Sequence, residues 1–219
     1  MKSFGFEIKD AAKPTRPIPQ KAILWAAQAG YGILPNGDRN RFPDFAAIAA
    51  RNAADSPDPL ATFGEAVSQA IDRVWIIDAH FLDPEKGNRQ TRIDQIVGWM
   101  LEASFAATDI RILTARHGGK NAEDDLAGQF GGYAETISAS RPRGPQCAIE
   151  LRFTLRQNFD YVHDRFAIID DELWHFGATV GGFHHQVSAA TRGWRASDHG
   201  AEEFFKMAWS AESFKGKQK

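Results

Sequence analysis

Residues 160–182, Asp-Tyr-Val-His-Asp-Arg-Phe-Ala-Ile-Ile-Asp-Asp-Glu-Leu-Trp-His-Phe-Gly-Ala-Thr-Val-Gly-Gly, hold the side chains best suited to chemistry on an anion. His163 and Arg165 stand two apart, just ahead of an apolar run at 166–169. Side chains alternate along an extended chain, so these two share a face. An imidazole titrates near neutrality and can attack or carry a proton. A guanidinium keeps its charge and grips two phosphate oxygens with its planar fork. Asp170 follows His163 by an odd separation of seven. On a regular strand that turns it to the opposite face, which predicts a supporting role rather than phosphate contact. An ordinary turn carboxylate beside Asp171 fits the position equally well. Gly177, and Gly181 and Gly182 beyond it, could bring backbone N–H groups close to an anion.

Other polar groups are weighed against the same chemistry. Arg116 follows an apolar run at 110–115 and could add a phosphate contact, with a plain turn as the alternative. Arg192 and Arg195 flank Trp194, a pattern that could hold a stacked base and its phosphates, or else a lid over the core. Asp78 and His80 stand at the end of the run 74–81, where site rims form, and could equally be hydrogen-bonded strand-end residues. His175 reads as structural. His184, His185, Asp198 and His199 lack an i, i+4 pair and supporting cysteines, so they predict a solvated loop rather than a metal centre. No metal and no cofactor is expected.

The elements that must position these groups follow from periodicity. The runs 166–169 and 173–176 around Asp170-Asp171-Glu172 predict a hairpin. Upstream, 74–81, 110–115 and 147–155 predict strands, while 91–106 and 122–138 predict helices, the latter weakened by Gly128, Gly131 and Gly132. A helix over 60–73 is expected from Phe63, Val67 and Ile71, and one over 202–214 closes the chain. The segment 179–193 is expected as a glycine-rich loop. This order predicts an α/β fold: a mixed β-sheet flanked by helices on both faces, with loops gathering a ligand at the strand ends. Residues 1–58 read as a partly helical N-terminal extension, with helices at 21–29 and 45–54 and turn chemistry at 35–38; residues 59–219 read as the core domain.

Composition narrows the class. With 43% hydrophobic and 25% charged residues, the 219-residue chain has an ordinary globular balance. A formal net charge of −2 argues against a basic coat for nucleic acid, though a local basic patch is compatible with it. Cys147 is the single cysteine, which excludes a disulfide framework. No apolar leader occupies residues 1–10, and no run of about twenty apolar residues occurs. A soluble cytoplasmic protein is therefore expected.

Residues 74–214 resemble one half-unit of the phospholipase D superfamily, whose motif is H-x-K-x4-D followed after six residues by Gly, Ser or Gly, any residue, and Asn. His163, Arg165, Asp170 and Gly177 stand at the corresponding positions. The departures are Arg165 for lysine, Ala178 for Ser/Gly and Val180 for Asn. The resemblance implies a phospholipase D-like fold and a metal-independent phosphodiesterase. One histidine attacks phosphorus to form a phosphohistidine, and a second protonates the leaving oxygen. With one motif in the chain, it also implies a homodimer with a shared site, as in the short nucleases of the family. It makes His163, Arg165 and Asp170 the catalytic set, with Gly177, Arg116 and Arg192 as phosphate-binding candidates. Ala178 and Val180 remove two donors from the place where charge develops, and one such donor is worth on the order of 10²-fold in rate.

Two function classes fit these residues. One is a nuclease-like phosphodiesterase. The other is a catalytically impaired module that binds nucleic acid or a phospholipid headgroup, or that mediates assembly. Nucleic acid ranks above phospholipid because no interfacial helix with a basic polar face is seen.

Overall fold

The computed structural model describes residues 16–26, 43–54, 58–83, 89–116, 121–141, 144–160 and 162–211. Among the described residues seven strands form one mixed sheet: β1 (Ala22–Trp25), β2 (Arg73–Ile77), β3 (Asp109–Leu113), β4 (Ala148–Arg152), β5 (Arg165–Ile169), β6 (Glu172–Phe176) and β7 (Ala189–Arg195), in the spatial order β1-β7-β6-β5-β2-β3-β4. β2, β3 and β4 are parallel, and β5, β6, β7 and β1 continue the sheet antiparallel. The expected hairpin is present, with Arg165 opposite Phe176 and Ile169 opposite Glu172.

Helices cover both faces, as the sequence predicts. α1 (Phe45–Ala53) leads into α2 (Ala61–Ser68), α3 (Arg89–Met100) and α4 (Ala122–Ser140). The last three pack on one face against Val74, Ile76, Ile110, Ile112 and Trp174. α5 (Leu155–Asn158) and α6 (Ala201–Ser210), the latter preceded by a 3₁₀ turn at Ser197–His199, cover the other. There Trp75 stacks on Phe205 with centroids 4.6 Å apart, and Phe205 stacks in turn on Trp209. Covered on both faces, β2 is buried from Val74 to Ile77, which is why it reads as an unbroken apolar run.

Some elements depart from the periodicity reading. Residues 22–25 form an edge strand where a helix over 21–29 is expected; the burial of Ala22 and Leu24, with Ile23 and Trp25 less so, is a two-residue period. Residues 22–25, on the N-terminal side of position 58, thus belong to the same sheet. The last third of the expected loop 179–193 belongs to β7, which pairs with both β6 and β1, while 179–188 stays irregular. Gly193 makes that pairing possible: its φ is +90°, and a Cβ there would lie 2.6 Å from Lys21 Cα. α2 ends at Ser68 because the N–H groups of Ile71, Asp72 and Arg73 donate to the Asp170 carboxylate instead of continuing a helix. α4 runs unbroken through three glycines, since Leu126, Phe130, Ala134 and Ile137 bury one stripe against the sheet. The turn expected at 35–38 and the tip of the segment after Arg116, 117–120, lie outside the described residues.

Candidate active site

The parallel strands deliver their C-terminal ends to the sheet edge where antiparallel β5 begins. Residues after β2, before β5 and after β6 therefore meet there. Asp78, directly after β2, is the hub. It is fully buried, and its Oδ1 accepts the His80 N–H at 2.8 Å while its Oδ2 accepts the Val180 N–H at 2.8 Å. The Arg165 Nε lies 3.6 Å from Oδ1. Burial pushes the Asp78 carboxyl above the usual carboxylate range, against the pull of the two N–H donors and Arg165. One carboxylate thus fixes the turn after β2, the loop after β6 and the cation at the head of β5.

That turn carries His80. Its Nδ1 lies 3.1 Å from Asp83 Oδ2, and its Nε2 lies 2.8 Å from an Arg156 guanidinium nitrogen. A guanidinium can only donate, so Nε2 is the accepting nitrogen and the ring proton sits on Nδ1, facing Asp83. The His80 carbonyl is held at 3.2 Å by buried Arg92.

His80, Arg156, His163 and Arg165 line one cavity of about 260 Å³, with exposed His163 at its surface. A neighbouring cavity of about 220 Å³ shares His80 and Arg165 and adds Arg92, Phe183 and His184. Its floor is steadied from α1: buried Arg51 donates to the carbonyls of Gly182 at 2.8 Å and His184 at 3.0 Å. Burial lowers the His184 imidazole to about 4. The first cavity thus gathers two imidazoles and two guanidinium groups, with the carboxylates of Asp160 and Asp164 also on its wall.

The expected site residues separate into two sets. His163 and Arg165 line the same cavity, although β5 begins at Arg165 and His163 precedes the strand. Asp170 sits at the far end of β5, about 17 Å along the strand. It has φ +57°, is buried, and anchors the chain before β2 through the amides of Ile71, Asp72 and Arg73. Gly177 closes β6 at the site end, but its N–H donates to the Ala189 carbonyl at 2.9 Å. The Gly182 N–H likewise goes to Thr179, so neither is the spare anion donor expected of it. Arg116, exposed beyond β3, pairs with Glu123. Arg192 lies away from the cavity: it donates to buried Glu172 at 2.8 and 3.2 Å and stacks over Trp174 at 4.4 Å. Glu172 opens β6 at the opposite end from Gly177, and Arg16 binds it as well at 2.8 Å. Trp194 packs under Lys21, and Arg195 pairs with Asp171 at 2.6 Å.

Arg156 is the site residue that periodicity hid, because the expected strand at 147–155 runs straight into it. His80 was legible as a strand-end residue, and its Asp-x-His-x2-Asp spacing with Asp78 and Asp83 is the signal that marks it. Among the described residues, no group of three or more His, Cys, Asp or Glu side chains is placed to hold a metal ion. No helix among them is long and apolar enough to cross a membrane.

No family model matches the chain, and no curated protein matches it in sequence. Among solved structures the chain is similar to phosphatidylserine synthase of Haemophilus influenzae Rd KW20, with a TM-score of 0.43 at 14% identity, over 68% of this chain and 34% of that one. It is similar to NucT from Helicobacter pylori, with a TM-score of 0.41 at 17% identity, over 68% and 86%. It is also similar to TrmBL2, an archaeal chromatin protein whose structure shows a mode of DNA binding, with a TM-score of 0.38 at 13% identity, over 70% and 49%. The chain thus spans about half the length of the chromatin protein and about a third of the synthase.

Proposed function

We propose that the chain is a phosphodiesterase acting on nucleic acid, with His163 as one of the two imidazoles the reaction needs and Arg165 as the cation that holds the phosphoryl oxygens. The observation that carries this reading is the convergence of His163 and Arg165 on one cavity with a further imidazole and a further guanidinium. Imidazoles supply a nucleophile and an acid near neutral pH, and the guanidinium groups offset charge as it develops. The reaction runs without a metal, through a phosphohistidine. The resemblance draws the second imidazole from a second copy of the chain, and a dimer seen by light scattering is what that source requires.

A second reading, a phosphate-binding module with weak or no turnover, is favoured by the donors missing at Ala178 and Val180 and by the N–H groups of Gly177 and Gly182 already engaged. One experiment separates the two. Wild type and His163→Ala are assayed on bis(p-nitrophenyl) phosphate and on single- and double-stranded nucleic acid, with and without EDTA. Turnover by wild type that survives EDTA and is lost in the variant supports the enzyme. Equal inertness of both proteins, with nucleic acid still bound, supports the module. Activity abolished by EDTA overturns the metal-independent route.

A further inference from the structure

We infer that His80 is the second imidazole of the site and its nucleophile, so that the cleft is complete within one chain. The inference rests on the phosphodiesterase reading and replaces the imidazole of a second copy with a residue of the same chain, outside the family-like motif. His80 and His163 line the same cavity although they come from different strands, His80 from the turn after β2 and His163 from the lead into β5. The His80 side chain keeps 35% of its surface open, so the ring can be reached from solvent. Its placement is nonetheless tightly determined. The backbone N–H is tied to buried Asp78, the carbonyl to buried Arg92 and Nδ1 to Asp83. An imidazole whose Nδ1–H faces a carboxylate has one tautomer, with its Nε2 lone pair presented outward. In the free protein that lone pair is covered by Arg156, which stands on an exposed turn of helix and is itself a phosphate-seeking group. A phosphodiester entering the cavity takes up the Arg156 N–H groups and uncovers Nε2.

The step then balances. The Nε2 lone pair of His80 forms a bond to phosphorus, and the ester P–O bond breaks with its electron pair on the leaving oxygen. That oxygen takes a proton from protonated His163, while Asp83 offsets the positive charge left on the phosphorylated ring. Neutral His163 next removes a proton from water as the water oxygen bonds to phosphorus. The N–P bond breaks, its electrons return to Nε2, and a phosphomonoester leaves. Arg165, on the border of both cavities, holds the non-bridging oxygens through both halves.

The test uses the full chain and bis(p-nitrophenyl) phosphate, with wild type, His80→Ala, Asp83→Asn and His163→Ala. His80→Ala is expected to lose more than about 10²-fold in kcat and to be partly restored by added imidazole, which a merely structural role would not allow. Asp83→Asn is expected to lower kcat while leaving KM in place. An acid-labile aryl phosphoryl adduct trapped during turnover should map to the peptide that carries His80, a result that holds even if the alanine variant fails to fold. If His80→Ala keeps the wild-type kcat while His163→Ala is inert, the inference fails and the phosphodiesterase stands. An adduct on His163 alone overturns the assignment of the nucleophile. An inert wild type sinks the enzyme reading itself.

Discussion

Replacing Asp170 with alanine should unfold the protein well before it harms the chemistry. The carboxylate accepts the N–H of Ile71 at 3.0 Å, of Asp72 at 2.8 Å and of Arg73 at 3.3 Å, and the Arg16 guanidinium lies 3.5 Å away. Alanine leaves three part-buried amides without that acceptor. At about 1–3 kcal/mol for each orphaned donor, and with the longest contact already weak, the loss is about 3–5 kcal/mol. The residue also has φ +57°, a left-handed conformation that aspartate tolerates better than alanine by about 1 kcal/mol. For a chain of this length each kcal/mol lowers the melting temperature by about 2–4 °C, so a fall of about 10–20 °C is expected. Asparagine keeps one oxygen acceptor and the tolerance for a left-handed backbone, and should recover about half of the loss. Circular dichroism melts of wild type and the two variants measure this, and kcat is then read well below each melting point. Because His163 and Arg165 lie at the other end of β5, kcat of the folded variant should stay near wild type. A melting temperature within about 2 °C of wild type, or a normal melt with kcat lost, would show that the carboxylate serves the reaction and not the fold.

Three more outcomes follow from particular contacts. Gly193→Ala should cost about 1–3 kcal/mol, because its Cβ would press on the Lys21 backbone and the residue would sit at φ +90°; hydrogen exchange should then show residues 22–25 losing protection ahead of the rest of the sheet. Arg51→Ala removes donors from the carbonyls of Asp58, Gly182 and His184 and should cost about 3 kcal/mol in urea unfolding, with KM rising more than kcat falls because the loop lines the second cavity. Acid should weaken the fold in two windows. His184 is lowered from 6.5 to about 4 by burial, so its contribution is full above 6.5 and is lost as pH falls toward 4, by about 3 kcal/mol at most. Glu202 is lowered from 4.5 to about 2, chiefly by its hydrogen bond from Arg73, so its contribution is present above 4.5 and is lost as pH falls through about 2. Solvent screening keeps that second term near about 1 kcal/mol. Urea unfolding between pH 7 and pH 4 checks the first window, and His184→Gln should flatten it.

Strands β2 to β6, helices α3, α4 and α6, and the hairpin were legible in the sequence. Each depends on a repeat of 2 or 3.6 residues that one segment expresses on its own. Local pattern also favoured a supporting role for Asp170 through nothing more than an odd separation. Tertiary structure alone decided which polar groups are spent and which are left facing the cavity. Arg192 and Arg165 look alike as arginines on strands, yet buried Glu172 claims the first, while the second lies 3.6 Å from Asp78 on the border of two cavities. Gly177 and Gly182 look like anion donors until the Ala189 and Thr179 carbonyls take their N–H groups. β1 became a strand only because β7 offered it an edge, and His80 met His163 only because β2 and β5 are neighbours running in opposite directions. A buried polar group must find its partner wherever the fold brings one within reach, and that partner stands far away in sequence, beyond any local period.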